Sequence, residues 1–282
     1  MILVPGGRGQ LGHDLAALSA DVRALSSADL DVTKVTADDL AGATAVINCA
    51  AYTAVDAAET DEERAYAVNG IGPGLLAQAC ASAGIPLIHV STDYVFSGEG
   101  VRPYETTDPV GPKSAYGRTK LEGERRVLEA GGYVVRTSWV YGVNGSNFVK
   151  TMAALESSRE TLSVVDDQAG APTWSHDLAA GLLELAAVLP ETRLLHATGG
   201  GETTWFRFAQ AIFEELGADP SRVRPCTTAD FPRPAPRPAY SVLSGAAWAA
   251  AGLRPLPQWR SALSAAFAAG VVAPRAGAAP LE

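Results

Sequence analysis

The chain has 282 residues, a net charge of −9, 47% apolar residues and 19% charged residues. That length accommodates one or two globular domains with a full core, and the acidic balance excludes the basic footprint of a nucleic-acid binder. No apolar run reaches the ~18 residues of a membrane span, and no basic leader precedes an apolar stretch at the start. Cys49, Cys80 and Cys226 are too scattered for a disulfide framework or a metal knuckle. Free thiols in a cytoplasmic protein are expected.

In chain order, "MILVP" predicts a short buried strand and "QLGHDLAALSA" a helix with Leu11, Leu15 and Leu18 on one face. "DVRAL" and "TAVINCAA" predict two more strands. A single long helical region follows from Asp61 to Gly84, then the apolar strand "IPLIHVST". "SAYGRTKLEGERRVLEAG" predicts a helix ended by Gly131, and "YVVRTSW" another strand. Apolar strands alternating with helices imply a parallel sheet covered on both faces. The expected class is therefore α/β, a Rossmann-type doubly wound sheet over residues 1–143. A smaller mixed α/β substrate-binding domain is expected over 144–282, with some of its elements packing back on the sheet. In that second part helices are predicted at "NFVKTMAALESS", "SHDLAAGLLELAAVL" and "WFRFAQAIFEELG", and a strand at "RLLHAT". Proline at every second position from Pro232 to Pro238 rules out regular helix or central strand there. An ordered loop is expected, a free linker being the alternative. The Ala/Gly/Pro-rich end of the chain is expected to fray.

Gly6, Gly9 and Gly12 punctuate the junction between the first strand and the first helix. Such a turn lets backbone approach a pyrophosphate, and the helix N-terminus behind it offers N–H groups and positive dipole to the anion. About 20 residues on, where an acidic residue holds the ribose of NAD, stands Ser26. With no carboxylate there to repel a 2′-phosphate, NADPH is the expected cofactor and NADH the alternative. Arg8 and Arg23 offer charge for that phosphate or are solvated surface groups. Downstream, Tyr116 and Lys120 are spaced i, i+4 on one helix face. A free phenol titrates near ~10, and an ammonium beside it is expected to lower that value toward the working range. Lys120 is also placed to hold ribose hydroxyls. Thr92 ends the strand before that helix, at the carboxyl edge of the sheet where ligands bind, placed to orient a carbonyl oxygen.

These stretches, with "STDYVFSG", "YGRTKLEGE" and "DDQAGAPTW", resemble the extended short-chain dehydrogenase/reductase family, and within it the reductases of 4-keto nucleotide sugars. The resemblance runs from residue 6 to about residue 243. It implies NADPH-dependent reduction of the C4 ketone of dTDP-4-dehydro-L-rhamnose to dTDP-L-rhamnose. Tyr116 corresponds to the proton donor, Lys120 to its partner and Thr92 to the carbonyl-orienting hydroxyl. Gly9, Gln10 and Leu11 fall at the cofactor phosphates, Asp31 and Val32 near the adenine, and Ala50, Ala51 and Tyr52 along the cofactor. Asp93 and Trp139 fall at the nucleotide sugar. Some relatives hold magnesium at a dimer contact; the matching positions are Asp14 and His176, next to Asp177, and no metal is expected. The partners implied are the sugar nucleotide and, as a possible assembly, a second copy in a homodimer. Two rival readings share the fold: another nucleotide-sugar 4-ketoreductase or epimerase, and a non-catalytic NADP-binding regulatory subunit like the beta subunit of methionine adenosyltransferase.

Overall fold

A computed structural model describes residues 1–272; the chain end expected to fray lies, from residue 273, outside the described residues. The strands are β1 (Ile2–Pro5), β2 (Val22–Leu25), β3 (Ala45–Asn48), β4 (Leu87–Thr92), β5 (Tyr133–Thr137), β6 (Val140–Tyr141), β7 (Leu162–Val165), β8 (Ala169–Gly170), β9 (Thr173–Trp174), β10 (Leu194–His196), β11 (Thr203–Thr204) and β12 (Val223–Cys226). The helices are α1 (Gln10–Leu18), α2 (Val55–Ala58), α3 (Glu62–Tyr66), α4 (Gly72–Ala83), α5 (Ala115–Glu129), α6 (Phe148–Glu156), α7 (Ser175–Val188), α8 (Trp205–Glu215), α9 (Ala246–Ala250) and α10 (Trp259–Ala268).

Six parallel strands form the main sheet in the order β10-β5-β4-β3-β1-β2. The chain leaves β1 to one side for β2 and returns to the other side for β3. This reversal is the topological switch point at which open α/β sheets bind ligands. Adjacent residues on a strand point to opposite faces, so Leu3, Val46, Leu87 and Val134 pack under α4 and α5. Val4, Ile47, Ile88 and Val135 pack on the other face with Leu11 and Leu15 of α1, and with Leu178, Leu182 and Leu185 of α7. A second lobe has its own core of Phe206, Phe208, Ile212, Phe213, Tyr141 and Leu263. It is edged by the pairs β6–β9, β7–β12 and β8–β11.

Three local expectations are corrected. Leu18 is exposed, because the apolar face of α1 stops at Leu15 where the helix reaches solvent. The long helix from Asp61 is interrupted by a π-helical turn, Ala67–Ile71, between α3 and α4. Gly70, Gly72 and Pro73 weaken the α-helical register there. The strand "YVVRTSW" stops at Thr137, since Trp139 adopts a left-handed backbone, φ +47°. The proline-dense segment is an ordered loop. Arg233 and Arg237 both pair with Asp56 of α2. Tyr240 N–H donates to the Gly98 carbonyl (3.0 Å) and Ser241 N–H to the Ala169 carbonyl (2.8 Å).

Candidate active site

Two cavities, of about 500 and about 470 Å³, meet at the carboxyl end of β1 and share Gly6, Gly9, Cys49, Ala51 and Thr53 as walls. Their size suits a bound small molecule. Gly6 has φ +77°, and a side chain on it would run into the backbone of Ala50 at 2.5 Å. Gly12 packs on Gly7, and Gly7 on Ala24, with equally little space. Gly7 was absent from the sequence reading, although Gly7, Gly9 and Gly12 themselves carry the dinucleotide spacing. Gly9 differs: a Cβ there meets the Gly6 carbonyl alone, at 3.3 Å, so this part of the turn is open. Helix α1 starts at Gln10 with Gly9 as an N-cap that makes no side-chain hydrogen bond. The first N–H groups of a helix have no intrahelical partner, and here the first turn, Gln10, Leu11 and Gly12, lines the first cavity. The turn therefore fits a dinucleotide pyrophosphate.

The second cavity runs from this turn past Arg8, Ser26, Ala50, Asp31 and Val32. Ser26 lines this cavity as expected, and a carboxylate the spacing did not point to, Asp29, stands behind it without lining the cavity. Asp29 reaches back to accept hydrogen bonds from Ser26 N–H (2.8 Å) and Oγ–H (2.6 Å). Those bonds, with the charges of Arg8 and Arg23, hold the Asp29 carboxyl below its ordinary range. Val32 is buried, whereas Asp31 is exposed and takes the Thr33 N–H and hydroxyl at 3.0 and 2.7 Å. Ala51 walls both cavities. Tyr52 walls neither: it packs on the cluster of Ala58, Ala65 and Ala115, and its hydroxyl turns to Asp61 at 3.4 Å.

The first cavity gathers Thr92, Asp93, Tyr116, Lys120 and Trp139. Thr92 caps a short 3-10 turn, Asp93–Val95, accepting the Tyr94 N–H at 3.2 Å and donating to Asp93 Oδ1 at 3.0 Å. The first turn of α5 lies directly on this cap. At Gly117 a Cβ would stand 2.3 Å from the Tyr94 carbonyl oxygen, so only glycine allows the approach. Tyr116 thereby brings its phenol near enough to the Thr92 hydroxyl to feel it as a donor. Burial pushes that phenol up to about 12, against the lowering effect of Thr92.

The expected pairing of Lys120 with Tyr116 is corrected. Lys120 is 2% exposed, and its Nζ donates to the Val90 carbonyl (2.7 Å) and lies 3.2 Å from His89 Nε2. Burial lowers the Lys120 amine to about 8. Its amino group, in the cavity wall, is turned to Val90 and His89 and is not among the causes of the Tyr116 shift.

Asp93 is buried, and desolvation raises its carboxyl to about 6. Ser241, from the proline-dense loop, is near enough to oppose that shift. Even so, neither Asp93 Oδ2 nor Ser241 Oγ has a partner in hydrogen-bond geometry. Trp139 stacks on Trp205 with ring centroids 3.5 Å apart and planes 9° from parallel. This aromatic wall closes the end of the cavity formed by the second lobe.

Trp205 and Asn69 escaped the sequence reading. Asn69, fully buried in the π-helical turn, accepts the Tyr52 N–H at 2.8 Å and reaches Thr119 of α5 at 3.3 Å, bracing the tyrosine helix. An asparagine followed by glycine within a helical pattern was the available signal. Asp14 is buried, and the Ser175 hydroxyl donates to it. His176 Nδ1 lies 3.7 Å from Asp177. Among the described residues no three metal-binding side chains come together.

The family model for the RmlD substrate-binding domain matches residues 1–271. A dTDP-4-dehydrorhamnose reductase of Mycobacterium tuberculosis is 50% identical over 95% of this chain and 92% of its own. The crystal structure of a dTDP-4-dehydrorhamnose reductase from Clostridium acetobutylicum superposes with a TM-score of 0.91 at 41% identity, covering 95% of this chain and 98% of that one. One from Bacillus anthracis, solved in complex with NADP, gives 0.90 at 34% with the same coverage. The chain belongs to the RmlD family of dTDP-4-dehydrorhamnose reductases.

Proposed function

We propose that this chain reduces the C4 ketone of dTDP-4-dehydro-L-rhamnose to the alcohol of dTDP-L-rhamnose, using NADPH. The observation that carries the reading is the Tyr116 phenol, set beside the Thr92 hydroxyl in the wall of a cavity that also takes in the glycine turn. Gly9, Gln10, Leu11 and Gly12 hold the pyrophosphate, and Ser26, Asp31, Val32, Ala50 and Ala51 flank the adenosine. Arg8 and Arg23 supply positive charge for a 2′-phosphate, against Asp29. When bound, the dihydronicotinamide supplies a hydride for the carbonyl carbon.

The remaining work falls to the chain. Thr92 and Tyr116 take the carbonyl oxygen between two hydroxyls. As negative charge develops there, Tyr116 donates its phenolic proton. A reduction needs this residue protonated, and a phenol held near 12 is protonated throughout the neutral range. The unpartnered Asp93 Oδ2 is an acceptor for a sugar hydroxyl, and the Trp139–Trp205 wall packs against the sugar nucleotide. Lys120, in the cavity wall, steadies the ribose side of the cofactor. No helix among the described residues is long and apolar enough to cross a membrane, and the reading places the enzyme in the cytoplasm, acting on a soluble sugar nucleotide as a monomer or homodimer.

The test is spectrophotometric. Reduced-cofactor absorbance should fall on adding dTDP-4-dehydro-L-rhamnose, and faster with NADPH than with NADH. Cofactor consumption with a different 4-keto nucleotide sugar and none with this one would reassign the substrate. No consumption with any would remove the enzyme reading.

A further inference from the structure

Behind the cavity wall a chain of hydrogen bonds runs from Asn48 through His89 to Lys120, and the proposed reduction uses only its last member. Asn48, at the end of β3, is fully buried, as is His89 on β4. The Ala50 N–H donates to Asn48 Oδ1 at 3.0 Å, which fixes the orientation of the amide. Its other end, Nδ2, is a donor and faces His89 Nδ1 at 3.1 Å. Nδ1 must therefore be the accepting nitrogen. A neutral imidazole carries one proton, so that proton sits on Nε2. Nε2 lies 3.2 Å from Lys120 Nζ, which itself donates to the Val90 carbonyl.

An N–H aimed at Nζ needs a lone pair there, and an ammonium has none. The connections are complete for the neutral amine. Charging Lys120 requires His89 to present a bare Nε2 and move its proton to Nδ1. Asn48 must then offer oxygen to His89, and the Ala50 N–H loses its acceptor. Ala50 N is the atom against which Gly6 of the glycine turn packs.

We infer that His89 is a positioning residue for Lys120, its tautomer set by Asn48, so that the charge on Lys120 is coupled to the β3 terminus on which the cofactor turn rests. The inference rests on the proposed use of Lys120 in the reduction. Other groups facing Nζ do not supply the coupling. Just past β3, the Cys49 thiol is pushed by burial up to about 12 and stays neutral. One turn along α5, Glu124 is committed to Arg136 (2.7 and 2.9 Å) and Ser91 (2.5 Å). Tyr116, one turn back, is pushed by burial up to about 12 and stays neutral. Burial together with the Lys120 charge holds the His89 imidazole well below its ordinary range, so it stays neutral and has a tautomer to choose.

The experiment is nitrogen-15 NMR of histidine-labelled full-length protein, which reads the protonated ring nitrogen without turnover. His89 should carry its proton on Nε2 at about pH 9, where the amine is neutral, and shift toward the Nδ1–H form as Lys120 gains charge. Asn48→Asp keeps the acceptor for Ala50 and turns the other end into an acceptor. It should hold His89 in the Nδ1–H form and raise the basic inflection of kcat/KM by at least about one pH unit. In Asn48→Asp/His89→Phe that rise should vanish. A wild-type His89 protonated on Nδ1 at about pH 9 overturns the inference, as does a rise that persists in the double variant, since the new carboxylate would then act directly. If the variants do not fold, the wild-type tautomer decides alone. An inactive protein with an Nε2–H His89 would count against the reductase reading and leave the tautomer assignment standing.

Discussion

Asp93 follows Thr92, whose hydroxyl lies beside the Tyr116 phenol, and its burial sets a measurable sign. Its folded carboxyl is raised to about 6 by desolvation, above the ~3.9 of an unfolded aspartate. The folded state thus binds this proton more tightly, and the associated stability is lost as pH rises from about 4 to about 6. Asp93→Asn removes the loss. Its denaturant midpoint should match the parent near pH 4, and its stability should exceed the parent's at pH 8 by up to about 3 kcal/mol. Affinity for the sugar nucleotide should fall. An unchanged pH dependence of stability would show that the carboxyl does not pay this desolvation cost. The identity of Asp93, Thr92, Tyr116 and Lys120 was legible in the sequence, because motif order places them on the right elements. Their ionisation was not: burial and the Val90 and His89 contacts of Lys120 are tertiary, and no spacing rule contains them.

At the scale of elements, helix α5 is aimed by what its first two turns touch. Its first turn contacts the Tyr94 carbonyl through Gly117, and its second is braced by Asn69 from the π-helical turn. Gly117→Ala puts a methyl where the carbonyl oxygen stands, so α5 must move and carry Tyr116 away from Thr92. A misplacement of ~1 Å can cost ~10²-fold in rate. Turnover should therefore drop by about that factor in protein that still folds, at a cost of about 1–3 kcal/mol in stability for the overpacked contact. Turnover within about twofold of the parent would show that the close approach does not aim the phenol. The periodic pattern revealed α5 and its caps, yet it read α3 and α4 as one helix. A π-helical turn leaves the apolar spacing almost intact while shifting register, and such turns recur at functional sites. The end of β5 was hidden for a similar reason. The left-handed Trp139 breaks the strand but leaves its composition strand-like, and a non-glycine residue there carries strain of order 1–3 kcal/mol.

For the molecule as a whole, the second half of the chain completes the first. Leu178, Leu182, Leu185, Leu195, Trp248 and Leu253 all follow residue 143 and form much of one face of the main sheet's core. β10 is itself an edge strand of that sheet. A fragment of residues 1–143 lacks that cover over Val4, Ile47, Ile88 and Val135, so it should be aggregation-prone and show no cooperative thermal transition. A cooperative melt from the isolated fragment would contradict this. The alternation of strands and helices made the parallel sheet legible from sequence. The return of α7 and β10 to it is a matter of topology, which local pattern does not encode.

All three scales converge on the Tyr116 phenol as the proton donor, presented by Thr92 over the trough of the glycine turn. The most direct measurement compares Tyr116→Phe with the parent in NADPH oxidation driven by dTDP-4-dehydro-L-rhamnose, alongside NADPH affinity. Turnover should fall by ~10²–10⁴-fold, the contribution of a positioned acid, while NADPH affinity stays unchanged. Turnover equal to that of the parent would contradict the account.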